Sequence, residues 1–306
     1  MQFIDLKRQY DMLKEGIDRG IAGVLAHGRY ILGPEVTELE QKLASLAGVS
    51  HAISCASGTD ALLMPLMAWE IGRGDAVFVP AFTFFASAEV IALAGAIPVF
   101  VDIRPDTFNM DPDSLEAAIQ KTLEEGRLTP RAVMPVDLFG LPADYEAIGP
   151  ISRRYSLPIL EDAAQGFGGR YHGRASGGLG DVGATSFFPA KPLGCYGDGG
   201  AIFTDDDETA QILRSIRVHG EGRDRYENVR LGLNGRLDSI QAAVLLEKLS
   251  VFEIEIEMRN AIALRYNKRL AGLVKTPDFY GDLVSAWAQY SVLCEDQAQR
   301  ERIIEA

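Results

Sequence analysis

Between residues 51 and 160, short apolar runs alternate with segments of helical period, and this alternation constrains the fold more than any other feature of the chain. His51–Ser54 precedes Ala61–Trp69, Ala76–Val79 precedes Phe85–Leu93, and Pro98–Val101 precedes Ser114–Ile119. Ala132–Val136 precedes Tyr145–Tyr155, and Pro158–Leu160 closes the series. Strands separated by helices pair parallel through right-handed crossovers, so the expectation is an α/β fold with a mostly parallel sheet sandwiched by helices. The rhythm breaks after Gly180, where Ala184–Phe188 and Ala201–Thr204 read as two strands joined by a Gly-rich loop instead of a helix.

Helical segments flank this region. Ile17, Ile21, Val24 and Leu25 recur at helical spacing between about Leu6 and His27, with Gly28 placed to end the helix, and a further helix through Val36 to Leu46 stops at Gly48. Leu237, Ile240, Val244, Leu245 and Leu249 mark a long amphipathic helix that is expected to leave the main domain near Val251. A chain of 306 residues, 47% of them hydrophobic, has room for one large domain and a smaller one, expected at 1–250 and 251–306. The smaller domain is expected to be incomplete, since the sequence halts at Ala306 inside a helical pattern. Residues 124–130 read as a slightly lengthened surface loop.

The net charge of −13 disfavours nucleic acid as a partner, and any anionic ligand needs a local site. The apolar stretch Val90–Val101 is broken by Gly95 and Pro98 and is too short to cross a bilayer. Cys55, Cys195 and Cys294 have no metal-ligand spacing, and three thiols suit a reducing cytoplasm better than a disulfide framework. His27, His51, His172 and His219 are scattered, so no metal site is expected.

Three segments carry chemistry. The turn Ser54-Cys55-Ala56-Ser57-Gly58-Thr59-Asp60, between an apolar strand and an apolar helix, presents free backbone N–H groups and the Thr59 hydroxyl, a possible phosphate cradle. An ordinary helix cap by Ser57 or Thr59 explains the same residues equally well. The strand ending Ile159-Leu160-Glu161-Asp162 places carboxylates at the edge where open α/β sheets bind ligands. Such an acid either caps structure or pairs with a protonated ring nitrogen, in which case Gln165 could reach another substituent of that ring. Lys191, flanked by Pro189 and Pro192 before a loop with four glycines, is either a plain loop lysine or an amine whose desolvation frees it to capture an aldehyde. Occurring together, the three segments favour the chemical reading.

In this order and spacing they resemble the DegT/DnrJ/EryC1/StrS sugar aminotransferases, pyridoxal phosphate enzymes of the aspartate-aminotransferase fold (fold type I). The resemblance runs from Phe3-Ile4-Asp5-Leu6 through Ile31-Leu32-Gly33-Pro34-Glu35-Val36 to Asn234-Gly235-Arg236-Leu237-Asp238. The stretch from Phe188 to Ala201 is most similar to the branch that aminates UDP-2-acetamido-2-deoxy-3-oxoglucuronic acid for bacterial surface polysaccharide (O-antigen). The resemblance implies that Lys191 holds the cofactor's aldehyde and shuttles the proton, and that Asp162 keeps the pyridine nitrogen protonated. It implies further that Gln165 faces the ring oxygen, Phe84 stacks on the ring, and Gly58, Thr59 and Ser186 bind the phosphate. Asn234 would reach the phosphate of a neighbouring subunit, so a homodimer is expected, and Arg236 would meet a sugar carboxylate or serve in a structural ion pair. The implied substrates are L-glutamate, released as 2-oxoglutarate, and a nucleotide-linked keto sugar. Sugar dehydratases of the same family carry His where this chain has Lys191, and a non-catalytic relative would have no need of Lys191, Asp162 and Gln165 together.

Overall fold

The computed structural model describes residues 4–224, 226–277 and 281–305, so Phe3 of the opening motif and the final Ala306 lie outside the described residues. Helix α1 (Leu6–His27) ends where Gly28 adopts φ 70°, and α2 (Pro34–Ala47) ends where Gly48 adopts φ 71°. At both sites the left-handed backbone favours a residue without a Cβ. The alternating region then builds β1 (His51–Cys55), α3 (Gly58–Ala68), β2 (Asp75–Pro80), α4 (Phe85–Leu93), β3 (Ile97–Val101), α5 (Pro112–Glu125), β4 (Thr129–Val133), α6 (Tyr145–Arg154) and β5 (Leu160–Asp162). A short hairpin, β6 (Arg170–Tyr171) and β7 (Arg174–Ala175), is followed by β8 (Val182–Ser186), β9 (Gly200–Thr204), α7 (Asp207–Ile216), α8 (Ser239–Leu270), β10 (Leu283–Val284) and α9 (Gln297–Glu305).

The sheet runs β3-β2-β4 and β5-β8-β9-β1, its two parts joined by parallel bridges Val133–Ile159 and Val136–Asp162. Every neighbouring pair is parallel except those of β9, which is antiparallel to both β8 and β1. That reversal follows from the connection: residues 187–199 form a loop rather than a crossover helix, so the chain re-enters the sheet in the opposite direction. Alternation along the strands sends side chains to two layers. Ile53, Val77, Val79 and Ile202 pack with Leu62, Met64, Val90 and Leu213 of α3, α4 and α7, whereas Ala52, Ala201 and Phe203 pack with Leu39, Leu43, Leu245 and Phe252 of α2 and α8. Phe78 and Val133 face Leu115, Ile119 and Ile148 of α5 and α6. Each fully buried side chain of this size contributes about 2–3 kcal/mol, so the layers are held chiefly by the apolar periodicity of the sequence.

One expectation meets a different structure. The loop read at 124–130 is shorter: α5 continues to Glu125, Gly126 ends it at φ 62°, and Pro130 lies inside β4. There the pairing with β2 shifts register between Ala76 and Val77, which accommodates a residue with no N–H to donate. The boundary expected at 250 falls inside α8, a continuous helix to Leu270. Past it, the chain folds back onto the first part of the protein. β10 pairs antiparallel with β6, the Ala286 N–H donates to the Gly140 carbonyl (2.8 Å), and the Gln289 N–H donates to the Phe139 carbonyl (3.2 Å). Among the described residues no helix is long and apolar enough to cross a membrane.

Candidate active site

The ends of β5 and β8, the start of α3 and the β8–β9 loop surround a cavity of about 450 Å³. Gly58, Thr59, Phe84, Asp162, Gln165, Ser186 and Lys191 all line it. A larger cleft of about 770 Å³ between α2, the β6–β7 hairpin and α8 contains none of these residues, and size alone would select the wrong site.

Asp162, the last residue of β5, is 4% exposed. Its Oδ2 accepts from the Ser87 hydroxyl (2.8 Å) and its Oδ1 from the Ala164 N–H (3.1 Å). Burial raises its carboxyl above the ordinary range, while the Ser87 and Ala164 donors and the charge of Lys191 oppose the rise. Lys191 stands on the loop after β8, its amine lowered by burial and partly restored by the Asp162 charge. The loop is pinned on both sides of it. Phe187, Leu193 and Cys195 are buried in the core, Cys195 N–H donates to Phe187 O (2.8 Å), and Lys248 of α8 donates to Gly194 O (2.6 Å) while lying over the Tyr196 ring. A half-buried amine lining the same cavity as a buried carboxylate suits the capture of an aldehyde on a cationic ring, because ring binding would relieve the desolvation of the acid.

At the far end of the cavity, Ser57 caps α3 by accepting from the Asp60 N–H (3.0 Å). The cap leaves the first N–H groups of the helix, at Gly58 and Thr59, directed at the cavity with the Ser186 hydroxyl beside them. The space is tight: a Cβ on Gly58 would lie 2.5 Å from the Ser186 Cβ. The preceding strand end is fixed from α7. Arg217, 7% exposed, pairs with Glu40 and donates to Ser54 O (3.0 Å), while Glu40 accepts from the Ser54 N–H (2.9 Å) and hydroxyl (2.7 Å). Gln165 accepts from the Phe139 N–H through Oε1 (2.6 Å), an arrangement that turns its amide donors toward the cavity. Phe84 is 69% exposed at the cavity mouth.

Asn234 and Arg236 do not line this cavity. Asn234 is exposed, in an antiparallel bridge with Val218, and Arg236 has a buried Nε that finds no acceptor among the described residues. His219 stays in the intervening segment, its N–H donating to Leu233 O (2.9 Å). The cavity also has walls that sequence reasoning missed: Thr83, Phe188, Asp198, Ala288 and Gln289. Thr83 and Phe188 sit beside the quoted motifs, but the return of residues 288–289 from beyond α8 left no local signal. Ser87, the partner of Asp162, was legible only as one small polar residue in the apolar run Phe85–Leu93.

These residues fit pyridoxal phosphate by chemical type. N–H groups at a helix start and a hydroxyl suit a phosphate, a buried carboxylate suits a pyridinium, an amide donor suits a ring oxygen, and a desolvated lysine suits an aldehyde. A largely parallel sheet with one antiparallel strand next to its edge, carrying lysine and aspartate at the strand ends, defines a pyridoxal phosphate aminotransferase of the aspartate-aminotransferase type. Within that class, the chain belongs to the DegT/DnrJ/EryC1/StrS aminotransferase family, which residues 11–306 match. It is 50% identical to the UDP-2-acetamido-2-deoxy-3-oxo-D-glucuronate aminotransferase of Pseudomonas aeruginosa over 309 residues, covering all of this chain and 83% of that relative. Among solved structures it is similar to a DegT/DnrJ/EryC1/StrS aminotransferase from Brucella abortus, with TM-score 0.97 and 56% identity, covering 100% of this chain and 82% of that one. It is also similar to NtdA from Bacillus subtilis with bound cofactor PMP, with TM-score 0.89 and 30% identity over 100% of this chain and 69% of that one.

Proposed function

We propose that this chain moves the amino group of L-glutamate onto the 3-keto carbon of UDP-2-acetamido-2-deoxy-3-oxoglucuronate, a step in the building of a bacterial surface polysaccharide. The observation that carries the reading is the convergence of Lys191, Asp162 and the α3 start on one cavity. The choice of sugar is supported by the 50% identity to the Pseudomonas aeruginosa relative of that name. Pyridoxal phosphate, when bound, supplies a carbonyl that accepts the donor's nitrogen and a ring that withdraws electrons from the carbon losing its proton.

The protein's own residues do the rest. The Gly58 and Thr59 N–H groups and the Ser186 hydroxyl bind the phosphate and set the depth of the ring. Asp162 holds the ring nitrogen's proton, Gln165 donates to the ring oxygen, and Phe84 covers one ring face. Lys191, whose amine is shifted by burial toward its neutral form, would carry the proton removed at the donor's α-carbon and, in the second half of the exchange, the proton delivered to the sugar carbon. Arg236, outside the lining of this cavity, would meet the sugar's carboxylate through a guanidinium whose buried Nε finds no acceptor among the described residues.

The working unit in this proposal is a homodimer in the cytoplasm, where the thiols of Cys55, Cys195 and Cys294 stay reduced. Phe84 and Phe188 at the cavity, with Phe85 and Leu93 of α4 and Ile97 and Phe100 of β3, are 47–71% exposed, more apolar surface than a monomer would leave in water, and exposed Asn234 would reach the partner's phosphate site. The test is the visible spectrum of protein reconstituted with pyridoxal phosphate. A lysine-linked band should bleach with L-glutamate and return with the keto sugar, and Lys191→Ala should abolish turnover while leaving the fold intact. A wild-type protein that develops no band, or a fully active Lys191→Ala variant, refutes the proposal.

A further inference from the structure

The Ser87 hydroxyl is 1% exposed on the first turn of α4 and makes two hydrogen bonds, to Asp162 Oδ2 (2.8 Å) and to the Thr83 hydroxyl (3.0 Å). A hydroxyl has one proton to give. An ionised Asp162 only accepts, so the Ser87 proton is committed to it, and the other contact must then be donated by Thr83 to the Ser87 oxygen. The direction of the chain is thereby determined as Thr83 to Ser87 to Asp162. The two O–H dipoles run head to tail and end at one carboxylate oxygen, Oδ2, and the other oxygen is held by the Ala164 N–H (3.1 Å).

We propose that Thr83 and Ser87 are positioning residues that hold Asp162 ionised and in one orientation, and so act through it on the nitrogen of the cofactor ring. The inference rests on the functional reading above. An alternative without chemical consequence exists: residues in the first turn of a helix often use their hydroxyls to satisfy local polar groups. Two features weigh against it. The Ser87 hydroxyl is directed across the protein to β5 rather than to its own helix, and Thr83 lines the cavity, presenting only lone pairs there once its proton is directed inward. Asp162 is buried in a site that favours its neutral form, and the Ser87 donor counts among the influences that oppose this. Lys191 is the titratable neighbour whose charge also favours ionisation, and Glu161, beside Asp162 on β5, turns its carboxylate to the N–H groups of Gly177, Leu179 and Gly180.

The experiment compares binding of two cofactors to the apo-protein by equilibrium dialysis: pyridoxal phosphate and its 1-deaza analogue, which has carbon in place of the ring nitrogen. Ser87→Ala should weaken pyridoxal phosphate binding about tenfold or more, the worth of one hydrogen bond to a charged group, and should leave the deaza analogue bound as in wild type. Thr83→Val should act in the same direction with a smaller factor, and Thr83→Ser should restore wild-type binding. Thr83→Val, nearly isosteric, supplies the reading if Ser87→Ala folds poorly. The pH at which the bound cofactor's absorption band changes should shift in Ser87→Ala and Thr83→Val. Equal loss for both cofactors, or no loss and no spectral shift, overturns the proposal. Failure of the wild-type protein to bind pyridoxal phosphate overturns the functional reading itself.

Discussion

Behind Asp162 the next carboxylate, Glu161, is fully buried on the opposite side of β5 and shares a hydrogen bond with the fully buried Asp137. Each has its own donors. Glu161 accepts from the N–H groups of Gly177 (2.6 Å) and Leu179 (2.8 Å), while Asp137 accepts from the Ala143 N–H (3.0 Å) and from the hydroxyls of Tyr145 (2.9 Å) and Ser176 (2.9 Å). Two carboxylates cannot hydrogen-bond each other without a proton, so the pair keeps one, and burial pushes both acids up. Glu161 is raised well above its ordinary range and Asp137 from 3.8 to about 6. An acid raised by folding binds more protons in the folded state. Its contribution to stability is complete below the unfolded value and is lost as pH climbs through the folded one. At about 1.4 kcal/mol per pKa unit, Asp137 alone accounts for a fall of about 2 kcal/mol between about pH 4 and about pH 7.

Asp137→Asn replaces the titrating group with a neutral one of the same shape. The amide oxygen still accepts from Ala143 and Tyr145, and the amide N–H donates to Glu161 while the Ser176 hydroxyl turns to accept. Urea unfolding of wild type and variant near pH 4 and near pH 7 would then show the wild-type protein losing at least about 2 kcal/mol more than the variant over that interval. Carboxylates away from the pair titrate equally in both proteins and cancel in the comparison, while Glu161, raised in the wild type partly by Asp137, adds to the difference. A difference that stays constant with pH would show that the pair does not share a proton in the way its burial demands.

Three further outcomes follow from the geometry. Gly58→Ala drives a methyl into Ser186 and should cost about 1–3 kcal/mol in thermal unfolding, with a larger relative loss in pyridoxal phosphate affinity because the collision lies in the phosphate cradle. Arg217→Ala leaves half-buried Glu40 without its cation and loosens the end of β1, so a loss of about 3 kcal/mol is expected in denaturant titration. Lys248 is lowered by burial to about 8, which means the folded state holds fewer protons than the unfolded chain above that pH. Wild-type stability should therefore rise between about pH 8 and about pH 10, and Lys248→Met should flatten that rise.

The extent to which sequence anticipates structure differs by element. The ends of α1 and α2 are readable because Gly28 and Gly48 occupy positions where the backbone itself turns left-handed. The 124–130 segment misleads because Gly126 and Pro130 both resemble loop residues, and only the pairing of β4 with β2, with its shifted register, shows that the proline lies in a strand. Ser87 is illegible for a different reason: a serine in an apolar helix gives no sign of the residue it will face 75 positions later.

The sequence alone determined the parallel sheet, through alternation of strand and helix periods, and the loop between β8 and β9 where a crossover helix would otherwise lie; the antiparallel direction of β9 was shown by the pairing. It also marked the turn at Ser57–Thr59, the acid at the end of β5 and the lysine after β8, because the chemistry of each is carried by a few contiguous residues. Tertiary structure alone decided the rest. It brought those three segments to one cavity, directed the Thr83 and Ser87 hydroxyls at Asp162, buried Glu161 against Asp137, and returned residues 288–289 to the cavity wall from beyond α8. Local patterns record what a residue's neighbours along the chain require of it. Desolvation, hydrogen-bond direction and shared protons depend on groups far apart in sequence, and they acquire definite values only when packing sets the distances between those groups.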